Sequence, residues 1–297
     1  MVWFVDMKAQ TFSRDPQRAD GKEPNVVLYH ADCADGFGAA WALWKRFPHA
    51  RYIPVKHGHP PPVDVAGAHM VMVDFSYSRE VIEELAEKAA SFQILDHHVT
   101  AKGSLSGLPY AHFDMSKSGA VLAWEWAHEE PVPWLLQYIQ DKDIWTWKLP
   151  HSREINAALA SYPFDFQVWD NLEQPMLELE GRAILRLEHS LIGKIIEEAV
   201  LVEFEGETVP AVYSPVMNSQ IGERLCAGHP FCIIWHQQHG RRYFSLRSRA
   251  GTADVGAIAA RHGGGGHVNA AGFSLPCNEE MGAVLDPVKI LMAGDNR

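Results

Sequence analysis

Aspartates and histidines recur in this chain directly after short apolar runs. Val26-Val27-Leu28-Tyr29 leads into His30-Ala31-Asp32-Cys33-Ala34-Asp35-Gly36, Met70-Val71-Met72-Val73 ends at Asp74, and Phe92-Gln93-Ile94-Leu95 ends at Asp96-His97-His98. Taken singly, an Asp after a strand is usually a helix N-cap, and a lone His is more often a surface or hydrogen-bonded residue than a ligand. Together they form a cluster of like charge that is costly unless cations neutralise it. Carboxylates with some imidazole suit Mn²⁺ or Mg²⁺, with Co²⁺ as a further option, and the imidazoles favour Mn²⁺ over Mg²⁺. A fourth acidic element, Gln140-Asp141-Lys142-Asp143, closes an apolar helix. Alone it reads as a charged turn followed by two core tryptophans, Trp145 and Trp147.

A second kind of chemistry lies further on, in Arg261-His262-Gly263-Gly264-Gly265-Gly266-His267-Val268-Asn269. Four consecutive glycines expose backbone N–H groups and let an anion approach closely. His267 and Asn269 can add hydrogen bonds, and Arg247 offers a planar, bidentate donor. The run is otherwise a flexible hinge, but Ala270, Ala271 and Gly272 after it suggest close packing. No Lys-Ser/Thr follows the glycines, so this is not a Walker A loop.

Residues scattered from 30 to 98 can meet only if the elements that carry them converge. After the first apolar run, Phe37, Ala40, Trp41, Trp44 and Phe47 recur at helical spacing, and Val81, Ile82, Leu85, Ala86 and Ala89 do so before the third. Strands alternating with helices predict an α/β fold with a parallel sheet covered on both faces. In such a sheet the carboxyl ends of the strands share one edge, where ligands bind. Helical periodicity continues near 117–128, 133–142 and 151–160. A long helix is predicted over 174–199, with Ile184, Leu187, Leu191 and Ile195 on one stripe. Strands are predicted at 200–202, 209–213, 231–235 and 243–246, so a boundary is expected within the long helix and a β-rich second domain from about residue 200.

Composition sets further limits. The 297 residues carry 26 Lys and Arg against 37 Asp and Glu, a net charge of −11, with 47% hydrophobic residues, as in an ordinary globular protein. Between Gly240 and His267 the local balance is +4, from five arginines and Asp254, against −15 for the rest. An acidic protein is poorly suited to long duplex DNA, whose binding needs many phosphate contacts. A local basic patch suits a small anion or short polyanion, although a solvated positive face has the same composition. No apolar run approaches the roughly 18 residues of a membrane span. The N-terminus lacks signal-peptide features, and a cytoplasmic location is expected. Cys33, Cys226, Cys232 and Cys277 form no C-x-x-C pair, which argues against a structural zinc and a disulfide framework.

With these motifs assembled, the chain resembles the DHH phosphoesterase superfamily, in the nanoRNase and RecJ-like branch with a DHHA1 C-terminal domain. Asp96-His97-His98 is similar to the name-giving triplet, His30-Ala-Asp32-Cys-Ala-Asp35-Gly36 to the first motif, Asp74 to the second and Asp141 to the fourth. Gly264-Gly265-Gly266-His267 is similar to the DHHA1 glycine–histidine motif. The likeness runs from about 26 to 275. It implies an N-terminal parallel-sheet DHH domain over 25–180, a helical linker over 181–199 and a smaller α/β DHHA1 domain over 200–297, after an extension over 1–24. It also implies two divalent metal ions, usually Mn²⁺. His30, Asp32 and Asp74 would hold one, Asp35, Asp74, His97 and Asp141 the other, with Asp74 bridging. His98 and Asp96 would be catalytic, His98 near the scissile phosphate. Arg247, Gly264, Gly265, Gly266, His267 and Asn269 would bind substrate. In the commoner first motif the two aspartates are two residues apart, whereas Asp32 and Asp35 are three apart. The division of roles between these two, and between Asp141 and Asp143, is therefore open.

The activity this implies is hydrolysis of short nucleotide substrates, nanoRNA or dinucleotides, to 5′-mononucleotides. Two metals about 3.5–4 Å apart would activate a water and stabilise the leaving oxygen. A cyclic (di)nucleotide phosphodiesterase is the alternative. A pyrophosphatase or exopolyphosphatase ranks lower, because related enzymes carry a lysine-rich clamp where Arg247 and the glycines stand here. A non-catalytic nucleotide sensor ranks lower still, because no expected ligand type is missing. A membrane partner is not expected, and a homodimer is compatible with the sequence.

Overall fold

The computed structural model describes residues 23–62, 64–276 and, for the backbone alone, 289–290. Of the N-terminal extension, residues 1–22 lie outside the described residues, as does Cys277. The chain divides into two compact units. Of the described residues, the first holds 23–97, 104–149 and 163–171; the second holds 98–103, 150–162 and those from 172 onward.

The first unit is α/β. Its strands are β1 (Val26–His30), β2 (Arg51–Val55), β3 (His69–Val73), β4 (Ser91–Asp96) and β5 (Ala111–Phe113), in the order β2-β1-β3-β4-β5. All pairings are parallel. Val27, Leu28, Met72 and Val73 are fully buried, as expected of central parallel strands covered on both faces. The flanking helices are α1 (Ala34–Arg46), α2 (Arg79–Lys88), α4 (Gly119–Ala127), α5 (Trp134–Asp143) and α7 (Phe166–Asp170). A Cβ on Gly36 would lie 2.2 Å from the carbonyl oxygen of His30. Only glycine therefore lets α1 start so close to the end of β1. Gly38 sits against Ile139 and Ala120, which brings α1 close to α5 and α4.

The edge strands β2 and β5 were not legible as apolar runs. β2 contains Pro54 and is mostly exposed or half-buried, and proline is confined to edge strands because it cannot donate to a ladder. β5 is three residues long and half-buried throughout.

The second unit contains α3 (Val99–Ser104, whose last residue belongs to the first unit), α6 (Ser152–Leu159), α8 (Gln174–Glu197), α9 (Asn218–Leu225) and α10 (Val255–Arg261). It also contains a sheet of β6 (Val200–Phe204), β7 (Glu207–Tyr213), β8 (Phe231–Gln238), β9 (Arg241–Ser248), β10 (Gly265–His267), β11 (Ala270–Pro276) and β12 (Lys289–Ile290). The order is β10-β11-β9-β8-β7-β6-β12, antiparallel except for the β7–β8 pair. Phe204, Phe273 and Phe244 stack through its core, with Val202, Ile233 and Leu246 around them. The long helix forms as predicted, but only part of its apolar stripe turns inward: Ile195 packs against a buried cluster while the leucines face out. Leu187 is 61% exposed and Leu191 is also exposed, while Leu177, Gly181 and Ile192 make the buried side. A Cβ on Gly181 would meet the Glu154 carbonyl oxygen at 1.8 Å, so close approach to α6 sets the helix's rotation. Among the described residues no helix is long and apolar enough to cross a membrane.

Candidate active site

Because β1, β3 and β4 run parallel and adjacent, their carboxyl ends bring His30, Asp74 and the Asp96-His97 pair to one edge. The turn into α1 adds Cys33 and Asp35, and the end of α5 adds Asp143. Two donor groups result. His30, Cys33 and Asp74 each place a ligand atom within 4.8 Å of the others, and so do Asp35, His97 and Asp143. Asp74 faces both groups. Its Oδ2 lies 3.5 Å from His30 Nδ1 and its Oδ1 lies 3.1 Å from His97 Nε2. His97 Nε2 is also 3.5 Å from Asp35 Oδ2 and from Asp143 Oδ2.

The backbone holds these carboxylates in place. Asp74 adopts a left-handed conformation, φ 52°, which Asp and Asn tolerate better than other non-glycine residues. A Cβ on Gly119 would lie 2.5 Å from that of Asp74, so Asp74 packs directly on the first turn of α4. Asp35 accepts the N–H groups of Gly119 at 2.6 Å and Ala120 at 3.0 Å. These are unpaired donors of the α4 N-terminus, where negative charge is favoured. Ser118 caps the same helix through Val121 N–H at 3.3 Å. The Ser118-Gly119 pair before an apolar run is the sequence signal for this contact.

The electrostatics are those of crowded acids. Burial, then the nearby Asp143 and Asp74, push the Asp35 carboxyl well above the usual range. Burial alone would lower His97, but the hydrogen bond to Asp74 and the charges of Asp143 and Asp35 carry it up to about 10. Burial pushes the Cys33 thiol up, and the three aspartates add to this. Carboxylates that repel one another when buried, together with imidazoles and a thiol, make a donor set that suits divalent cations.

Several expected site residues are placed elsewhere. Asp32 does not join the cluster. Its side chain is 72% exposed and pairs with Lys56, because φ of 56° at Asp32 turns it outward while the next residue turns in. Asp141 makes contacts in the turn after α5. It accepts the Thr146 hydroxyl at 2.5 Å and the N–H groups of Lys148 at 2.8 Å and Leu149 at 3.1 Å. Asp141 therefore organises the turn after α5, and Asp143 supplies the carboxylate at His97. Asp96 is fully buried, where it accepts the Ser76 hydroxyl at 2.6 Å and the His97 N–H at 2.7 Å. These contacts position the backbone of His97.

That same turn changes the reading of the tryptophans. Trp145 is not core: it is 44% exposed. Trp145 and Trp147 both adopt left-handed backbone conformations, φ 59° and 50°, with their rings edge to face at 5.1 Å. A left-handed conformation costs a non-glycine residue about 1–2 kcal/mol, and the Asp141 hydrogen bonds hold the turn against that cost.

In the second unit, the expected glycine loop is an edge strand. Gly265, Gly266 and His267 pair with Gly272, Ala271 and Ala270. A Cβ on Gly264 would lie 2.1 Å from the Gly272 carbonyl oxygen, so that glycine serves close packing. Arg247 on β9 is opposite Ala270, which is opposite His267. Residues paired across a sheet share a face, so Arg247 and His267 stand on one face about 10 Å apart, two strand spacings. Arg247 donates to the Leu246 carbonyl at 2.9 Å and the Ser219 hydroxyl at 3.3 Å, with its stem over Gly222. Burial lowers its pKa. Asn269 donates to Ser248 Oγ at 2.9 Å, and His98 stacks on His267 with ring centroids 4.9 Å apart.

Over 282 aligned residues the sequence is 33% identical to uncharacterized protein R106 of Acanthamoeba polyphaga mimivirus, covering 84% of this chain and 67% of that protein. Over 108 residues it is 32% identical to oligoribonuclease NrnB of Bacillus subtilis (strain 168), covering 36% of this chain but only 26% of NrnB. An exopolyphosphatase-related protein from Bacteroides fragilis shares the fold at a TM-score of 0.50 and 13% identity, with 88% of each chain covered. No family model matches the chain. The strand-end donors form groups that could hold metal ions. The chain belongs to the same family as R106, and the parallel sheet that gathers the strand-end residues, with its second, mixed sheet, is the α/β fold that the motifs imply.

Proposed function

We propose that the protein hydrolyses short nucleotide phosphodiesters, nanoRNA or dinucleotides, to 5′-mononucleotides, with two divalent cations as cofactors and Mn²⁺ preferred over Mg²⁺ or Co²⁺. The observation that carries this reading is the pair of donor groups, one containing Asp74 and the other reached by it through His97. The residues that would hold the cations are His30, Cys33 and Asp74 on one side and Asp35, His97, Asp143 and Asp74 on the other. When bound, such cations supply a Lewis acid and lower the pKa of a water nucleophile. Asp74 orients both donor groups, Asp96 fixes His97 through its N–H, and the α4 N-terminus holds Asp35 against its neighbours.

Two features favour a short nucleotide over a bare phosphate chain. Trp145 presents an exposed indole two residues beyond Asp143, a span of at most about 7 Å. Base–aromatic stacking tolerates every base. Arg247 and His267 offer two spaced donors, enough for few phosphates, and we assign them, with His98, to phosphate contact. Gly265 and Gly266 on the edge strand β10 add backbone donors to this assignment. The likeness to an oligoribonuclease over 108 residues supports the same reading.

The test is Mn²⁺-dependent hydrolysis of a 5′-phosphorylated RNA dinucleotide beside a 10-mer RNA, a cyclic dinucleotide and inorganic polyphosphate. Fast cleavage of the dinucleotide to mononucleotides with a slow 10-mer is the expected result. Turnover of the cyclic substrate or polyphosphate alone would overturn the substrate assignment.

A further inference from the structure

We propose that Cys33, and not Asp32, is the ligand that joins His30 and Asp74 at one of the two cation positions. The inference rests on the metal-site reading above and refines which atoms hold the ion. Three observations converge on it. Cys33 Sγ lies with the nearest donor atoms of His30 and Asp74 inside a 4.8 Å cluster. Asp32, one residue earlier, points into solvent and is neutralised by Lys56. Cys33 is the N-cap of α1 but makes no side-chain capping bond, so its sulfur is not used to satisfy the helix.

The local backbone explains the exchange. Asp32 takes a left-handed conformation, which absorbs one extra residue between β1 and α1. Gly36 fixes the start of α1 against the His30 carbonyl. With both ends fixed, the side chain that reaches the cluster ahead of Asp35 is the one two residues before it.

The substitution has a chemical consequence. Thiolate is a softer donor than carboxylate and favours ions such as Zn²⁺, Fe²⁺ or Co²⁺, whereas carboxylate-rich sets favour Mn²⁺ and Mg²⁺. The His30–Cys33–Asp74 position therefore takes Co²⁺ and Zn²⁺ more readily, relative to Mn²⁺, than it would with a carboxylate in place of the thiol, while the position of Asp35, His97 and Asp143 keeps the harder preference.

The experiment loads the full-length protein with Co²⁺, follows binding by calorimetry and records the near-ultraviolet sulfur-to-cobalt charge-transfer band. Wild type and Asp32→Asn should show the band, and Cys33→Ser should lose it. Cys33→Ser should also weaken Co²⁺ binding by about tenfold or more, since even residues behind the ligands cost that much. Cys33→Asp should bind Mn²⁺ relative to Co²⁺ better than wild type does. Bound Co²⁺ without the band in wild type, or a band that survives in Cys33→Ser, overturns the assignment while leaving Mn²⁺-dependent hydrolysis intact. Failure of wild type to bind Co²⁺ or Mn²⁺ at all would overturn the metal site itself.

Discussion

In the first unit Asp35, Asp74 and Asp143 crowd around one imidazole, within 3.1–3.5 Å of His97 Nε2. In the second, Arg247 and His267 stand two strands apart on one face of a sheet, each held by its own strand. The first arrangement brings like charges together in a buried place, where they destabilise one another unless a counter-charge enters. The second separates its donors, so neither crowds the other. Crowded acids commit a site to a compact, multivalent cation; spaced donors commit a surface to an extended anion. The two regions thus have complementary charge, and each is built by different means. One relies on parallel strands ending at a shared edge, the other on side chains in register across antiparallel ones.

The most severe way to break this contrast is to remove the shared carboxylate. Asp74→Asn keeps the side chain's shape and tolerates the left-handed backbone, so the fold should survive by circular dichroism. Mn²⁺-dependent dinucleotide hydrolysis should fall about 10³-fold, the loss of roughly 4 kcal/mol of transition-state stabilisation. Gly264→Ala attacks the second region through packing rather than charge. It forces a methyl group toward the Gly272 carbonyl oxygen and should destabilise the protein by about 1–3 kcal/mol in urea unfolding, with Mn²⁺ affinity unchanged. Trp145→Ala should raise KM for the dinucleotide about tenfold, from the 1–3 kcal/mol of a lost base stack. It should leave kcat and the hydrolysis of a base-free phosphodiester as they were.

Proton linkage sharpens the comparison further. In the metal-free protein His97 is raised to about 10 from 6.5, so its stabilising charge is complete below pH 6.5 and is lost as pH rises toward 10. Asp35 is also raised, so the folded state holds a proton that the unfolded chain gives up, and stability falls as pH rises above about 4. Both effects lower stability as pH rises, and the His97 part is lost between pH 6.5 and 10. Tm of the metal-free protein should fall over that window, and the Tm increase on adding Mn²⁺ should grow. The smallest effect is expected at Asp32→Asn. An exposed ion pair is worth at most about 1 kcal/mol, so stability and Mn²⁺ affinity should stay close to wild type.

The sequence was most legible where topology alone decides. The apolar runs ending at His30, Asp74 and Asp96 became neighbouring parallel strands, and convergence followed from their order. It was least legible where a single backbone torsion decides which side chain turns inward. Asp32 and Cys33 differ by one position, and only the left-handed turn at Asp32 sends the acid to Lys56 and the thiol to the cluster. Asp141 and Asp143 are separated in the same way by the turn that Asp141 ties down. The glycine run was read as a loop because four glycines permit one, whereas pairing with β11 made three of its residues a strand. The stripe of Leu187 and Leu191 had helical period but no partner to fix its direction, and the close approach at Gly181 turned α8 the other way.

The claim beneath all of this is that the strand-end acids are gathered to hold divalent cations. Calorimetric titration of the metal-free, full-length protein with Mn²⁺, wild type beside Asp74→Asn, tests it most directly. Saturable binding by wild type that weakens at least about tenfold in Asp74→Asn is the predicted result; equal binding by the two proteins, or none by wild type, would contradict it.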